Sequence, residues 1–196
     1  QKGRDYYDGG PRYNTTYIQC CGIGTVTDSL AALKTHVFDQ GTVTMEALLD
    51  ALARNFEEAE ALRQRLWNQT PFYGNDDDAA DGLMQRVYAS LLGAIDGRPN
   101  TKGGQYHLNM LSTTCHVYFG KMLGATANGR LAGQPISDGT SPSHGADRNG
   151  PTAVVKSLGK MDQLKSGGTL LNQRFLPGTV VACSKRRYRK HDAQYD

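Results

Sequence analysis

Thr113, Thr114, His116 and Tyr118 bring hydroxyl, imidazole and phenol groups into an apolar run that contains Leu108, Met110, Leu111, Val117 and Phe119. In a dry pocket a phenol acts as a weak acid or a hydrogen-bond donor, so Tyr118 is the first candidate for a cavity-lining group. Thr113, Thr114 and His116 are weaker candidates for the same wall. The competing readings are a buried structural tyrosine and a core histidine with its hydrogen bonds satisfied. Directly afterwards comes a glycine-rich stretch punctuated by proline, Gly120 to Pro151. Glycines at this density between two apolar segments mean sharp turns and close backbone approach. A long loop without periodicity is functional or disordered. Interspersed Leu, Ile and Met and the lack of a charge run argue for order, so the loop is expected to line a cleft. Asp138 and Asp147 on it are expected to hold loop backbone with their side chains.

Other short signals are weaker. Gly22 to Ser29 (GIGTVTDS) hints at a phosphate cradle, but it lacks the third glycine of a dinucleotide fingerprint and the Gly-Lys-Ser/Thr of a P-loop. A turn leading into a helix explains it better. Asn75-Asp76-Asp77-Asp78 lacks the alternating ligands, glycine and distant glutamate of an EF-hand, so helix capping is preferred. Cys20, Cys21, Cys115 and Cys183 are too few and wrongly spaced for a disulfide scaffold or a zinc site. Reduced thiols in a cytosolic protein are expected.

The elements around these residues follow from pattern. A short strand is expected from Tyr13 to Gln19. Thr27 or Asp28 is read as the cap of a helix to about Phe38. Thr44 caps the next unit, where Met45, Leu48, Leu49, Leu52, Phe56, Ala59, Leu62 and Leu66 predict one long amphipathic helix to about Trp67. Pro71 and Gly74 break the chain before a helix over Ala79 to Ile95, which Gly97 and Pro99 end. The run from His107, including HVYFG, is read as a buried strand. Asn149-Gly150-Pro151 opens a helix to Leu158, and a last strand is expected over Thr169 to Phe175. Helices alternating with short apolar strands indicate an α/β fold.

At 196 residues with 38% hydrophobic content the chain is long enough to bury a core. No apolar run approaches the roughly 20 residues of a membrane span. Its net charge of +3 is local: Lys185, Arg186, Arg187, Arg189 and Lys190 outweigh Asp192 and Asp196 by the same amount. A neutral body gives no footprint for nucleic acid.

The runs HLNMLSTTCHVYFG and NGRLAGQPISDGTSPSHGADRNGPTAVVKSLGKMDQLKSGGTLLNQRFLP resemble the C-terminal part of glycyl radical enzymes. The likeness runs from about Gly3 to Pro177 and looks most similar to the choline trimethylamine-lyase branch, then to the glycerol, propanediol and hydroxyproline dehydratases. It implies a ten-stranded α/β barrel of two half-barrels. Residues 1–177 would form most of the second, pyruvate formate-lyase-like half, and residues 178–196 a disordered or frame-shifted basic tail. The implied activity is radical cleavage of the C–N bond of choline to trimethylamine and acetaldehyde, with dehydration as the alternative. The implied partners are a small-molecule substrate (choline or a diol), an S-adenosylmethionine iron-sulfur activating enzyme and a second copy in a homodimer. The expected location is cytoplasmic, with a bacterial microcompartment as one setting. The dehydratase branch puts a tyrosine corresponding to Tyr118 near substrate.

Two family motifs are missing. No cysteine follows a glycine, so the Gly-Cys-x-Glu of the thiyl residue does not occur. The closest text to the radical-bearing Arg-Val-x-Gly is Arg86-Val87-Tyr88-Ala89. The resemblance therefore implies an enzyme piece that is inactive alone and, with barrel edges uncovered, poorly soluble. A spare-part subunit is disfavoured, because such a protein should itself carry the radical glycine. Asn128 departs from the family's usual Thr-Pro-Asp-Gly-Arg and puts a turn there in doubt.

Overall fold

The computed structural model describes residues 3–175. Strand β1 (Thr15–Gln19) leads into helix α1 (Ile23–Ala32), which continues in π-helical geometry over Leu33–Asp39. Helices α2 (Met45–Ala53), α3 (Glu60–Gln69) and α4 (Asp78–Ile95) precede strand β2 (Gln105–Asn109), and α5 (Cys115–Met122) and α6 (Pro151–Gly159) follow it. The two strands pair in parallel, with Thr15 opposite Gln105 and Gln19 opposite Asn109.

Helix α4 packs on both α1 and β2. Leu108 and Met110 thereby join Ile23, Tyr73, Met84, Tyr88 and Met161 in one apolar core. A second core gathers Val43, Leu48, Phe56 and Leu66 beneath the start of the glycine-rich loop at Ala127. Strand β1 is exposed along its whole length, Tyr17 and Ile18 included. Parallel strands are normally covered on both faces; among the described residues nothing covers β1 in that way.

Helix α4 forms as its pattern predicts, with the Asp77 side chain accepting from the amides of Ala79 (2.9 Å) and Ala80 (3.3 Å). Thr44 caps α2 by accepting from Ala47 N at 3.2 Å. Pro151 opens α6 as expected.

Four expectations need correction. Helix α1 starts at Ile23, behind Gly22 at φ 89°, so Thr27 and Asp28 are buried inside it instead of capping it. The Asp28 carboxylate accepts from Tyr73 N at 2.8 Å, which spends its capping capacity on a distant loop. The expected long helix over 45–67 is two helices. Asn55, Phe56 and Glu58 take positive φ, and Phe56 swings into the second core while Asn55 Oδ1 accepts from Ala132 N. The apolar period looked continuous because both helices face that core. HVYFG is not strand but lies within α5. The expected last strand reduces to one parallel bridge, Met110 with Thr169. Beyond it Leu170 O accepts from Thr140, and Asn172 N donates to Ser141 Oγ at 3.2 Å, which draws the chain off β2 and onto the loop. The tail over 178–196 and Cys183 lie outside the described residues.

Candidate functional site

In open parallel sheets, ligands gather beyond the carboxyl ends of the strands. Here those ends are Cys20-Cys21-Gly22 after β1 and Met110 to Thr114 after β2, and the glycine-rich loop closes over both. Gly22 N donates to Ser137 O at 2.8 Å. Thr25 N donates to Ser137 Oγ (3.1 Å), and Ser137 N donates back to Thr25 Oγ1 (2.9 Å). On the β2 side, Gly139 N donates to Ser112 Oγ at 3.1 Å, and Ile136 N to His116 O at 3.3 Å. Tyr73 OH donates to Thr140 O at 2.9 Å. Residues of the loop line a cavity of about 600 Å³ with Asp138, His144, Asp147 and Asn172 on the wall. Asp138 Oδ2 accepts from the side-chain amide of Asn172 at 2.6 Å and not from loop backbone as expected, and Asp147 is exposed on the wall. The turn at Asn128 forms, closed by Gly129 N donating to Thr126 O at 2.9 Å.

The four residues singled out by type are only partly brought together. Thr113 sits at φ 47°, a strained value for a β-branched residue, and its hydroxyl donates to Ser112 O at 2.7 Å. Thr114 precedes α5 without a side-chain capping bond. His116 is half-buried, with Nδ1 3.4 Å from Ser112 Oγ and its ring centre 6.2 Å from that of His144. Tyr118 lies on the outer face of α5 at 64% exposure, with Lys121 Nζ 5.9 Å from its ring centre. It does not line the cavity of about 600 Å³ beneath the loop.

Residue types did not single out Ser112, although it is buried and ties the β2 end to the loop. The thiols of Cys20 and Cys21 are free, and burial raises the pKa of both, with Cys115 and then Cys20 adding to the rise at Cys21. They are kept as thiols at neutral pH, which is the opposite of an activated nucleophile.

Asp28 is the buried charge of this region. Its Oδ2 has no hydrogen-bond partner. Burial raises its pKa to about 7, against the opposing pull of Ser143, the Tyr73 amide and Arg148. An unfolded aspartate titrates near about 4. Between those values the folded chain holds a proton that the unfolded chain has lost, so stability falls as pH rises through that window and levels off above it. Urea denaturation at stepped pH is expected to show this fall in the parent and a flatter profile in Asp28→Asn. Equal slopes would remove Asp28 as its source.

The family described as Pyruvate formate lyase-like matches residues 1–120, and the one described as Glycine radical matches residues 136–195. The chain belongs to the pyruvate formate lyase-like family. Trans-4-hydroxy-L-proline dehydratase of Clostridioides difficile is 56% identical over 180 residues, which is 92% of this chain and 23% of that protein. The crystal structure of that dehydratase with substrate bound superposes with a TM-score of 0.87 over 90% of this chain and 22% of that one, at 56% identity. The glycerol-bound B12-independent glycerol dehydratase of Clostridium butyricum gives a TM-score of 0.81 at 34% identity, over 96% of this chain and 25% of that one. The chain thus spans about a quarter of the length of the relatives it matches. Its two parallel strands and their helices are part of the α/β barrel of glycyl radical enzymes, as the resemblance implied. No helix among the described residues is long and apolar enough to cross a membrane.

Neither Gly-Cys-x-Glu nor Arg-Val-x-Gly occurs in the sequence. Arg86-Val87-Tyr88-Ala89 lies within α4, where Tyr88 is buried in the first core and donates to Asp162 O at 3.1 Å.

Proposed function

We propose that this chain is a strand-and-loop wall of a glycyl radical dehydratase that removes water from a small hydroxylated substrate of the hydroxyproline type. The observation that carries this reading is the likeness to hydroxyproline dehydratase over nearly the whole chain, in sequence and in backbone alike. It favours the dehydratase alternative over cleavage of the C–N bond of choline.

Within that reading the chain's own residues position and exclude. The loop bonds at Ser137, Gly139 and Thr140 seal the strand ends against water, which strengthens every polar contact inside. Ser112, Thr113 and His116 supply hydroxyl and imidazole groups at the β2 end. No hydrogen-atom transfer falls to this chain, because neither the Gly-Cys-x-Glu nor the Arg-Val-x-Gly motif occurs in it. The same reading carries a homodimeric enzyme and an S-adenosylmethionine iron-sulfur activating enzyme as partners.

The test is to sequence the flanking DNA and assay the full reading frame after anaerobic activation. Gly-Cys-x-Glu is expected upstream, with turnover of trans-4-hydroxy-L-proline and none of choline. Trimethylamine release from choline would overturn the dehydratase reading. Turnover of either compound by the 196-residue chain alone would overturn its role as a wall.

A further inference from the structure

Between α3 and the Asn128 turn lies a second cavity of about 490 Å³, whose wall includes Arg63, Trp67, Asn128, Arg130, Ser143 and His144. Among the described residues no carboxylate lines it. Arg130 is only 9% exposed, and every acceptor on its guanidinium is neutral. Its Nε donates to Thr126 Oγ1 (3.2 Å), its Nη1 to Leu131 O (3.0 Å) and Gln134 O (2.6 Å), and its Nη2 to Gly124 O. Buried cations are ordinarily paired, because neutral acceptors replace only part of the lost hydration. Burial alone pulls Arg130 below the ordinary arginine pKa.

The neighbouring charges do not fill the gap. Glu60 grips Arg63 through Nε and Nη2 (both 2.7 Å), leaving Nη1 turned toward Gly129 O at 3.3 Å. Asp28, beside Ser143, points its other oxygen at Tyr73 N. The wall therefore holds two guanidinium groups against one external carboxylate; the Asn128 amide is already spent on Ser143 Oγ at 3.3 Å, and His144 lies beside them.

We propose that this cavity binds a small oxyanion, a carboxylate, sulfonate or phosphate group, on Arg130 and Arg63. An oxyanion supplies the missing counter-charge and an acceptor for the one guanidinium N–H of Arg130 that those four bonds leave free. The site does not depend on which reaction the longer enzyme performs.

Trp67 is the chain's one tryptophan, and it lies on the cavity wall, so its fluorescence reads occupancy directly. The chain is titrated with sodium phosphate, sodium sulfate, sodium acetate or sodium methanesulfonate, each against sodium chloride at matched ionic strength. A saturable change with an oxyanion and none with chloride is expected. Phosphate or sulfate responding first assigns a free inorganic ion, and acetate or methanesulfonate responding first assigns the headgroup of an organic acid. Arg63→Gln should raise the midpoint about tenfold, the loss of one charge-assisted hydrogen bond. Arg130→Gln should do the same or more. Because Arg130 also ties the loop together, His144→Asn serves as the second variant should Arg130→Gln not fold. An identical response to chloride, or an unchanged midpoint in both Arg63→Gln and His144→Asn, would overturn the proposal.

Discussion

Lys160→Met is expected to lower the stability of the folded chain by about 2 kcal/mol, because it strands a buried carboxylate whose partner is itself only half-buried. Asp81 has no exposed surface, and its Oδ2 accepts from Lys160 Nζ at 2.7 Å and from Ser157 Oγ at 3.0 Å. Lys160 closes α6 and Asp81 belongs to the first turn of α4, so the pair clamps two helices. Lys160 also meets Asp78 at 2.8 Å and Asp76 at 3.3 Å. The hydrogen bonds it donates to Asp78 and Asp81 raise its pKa above the ordinary lysine value. Asp78 is 97% exposed, and such a contact contributes only a few tenths of a kcal/mol. Nearly all of the loss should therefore come from stranding Asp81. Urea denaturation separates the two: Asp81→Asn added to Lys160→Met should recover most of the stability. A single-variant loss below about 1 kcal/mol would mean that the pair behaves as a surface contact.

Gly139→Ala is expected to cost about 3 kcal/mol and to loosen the loop over the strand ends, from a strained backbone and a clash together. Gly139 sits at φ 38°, and an added Cβ would fall onto Leu170 O and within 3.1 Å of Met110 O. Both are backbone atoms, so no side chain can rotate away. Relief requires the loop to lift off β2, breaking the bonds from Gly139 N to Ser112 Oγ and from Thr140 N to Leu170 O. Hydrogen exchange should then show protection lost at Gly139 and Thr140. Gly133→Ala is the control, because Gly133 also has positive φ (77°) but faces open space. It should cost only the conformational strain, about 1 kcal/mol. Equal effects for the two variants would rule out the clash.

Much of the helical frame was readable from local chemistry. Asp77, the period from Leu83 to Ile95 and Gly97 define α4; Thr44 starts α2, and Pro151 starts α6. Each of these signals acts within a turn or two of its own position. The readings fail where a residue serves a distant partner. Thr27 and Asp28 have capping side chains, yet Asp28 is spent on the Tyr73 amide. Val117, Tyr118 and Phe119 have strand-forming side chains, yet Gly120 must lie flush against the Gln134–Pro135 backbone, where an added Cβ would come within 2.6 Å of Pro135 Cα. That contact and the bond from Ile136 N to His116 O go with a helix there and leave Tyr118 in the open.

The sequence by itself determined the family and the α/β class, because composition, turn chemistry and a long match of mixed residues do not depend on what lies across the fold. Only the tertiary structure decided which polar groups work together. Ser112 carries no local pattern and Asp28 only the pattern of a cap, yet both take their roles from burial and from partners that the chain brings back many residues away; burial likewise makes Arg130 more than a loop residue. Burial sets how strongly a charge needs a counterpart, and burial belongs to the packed whole.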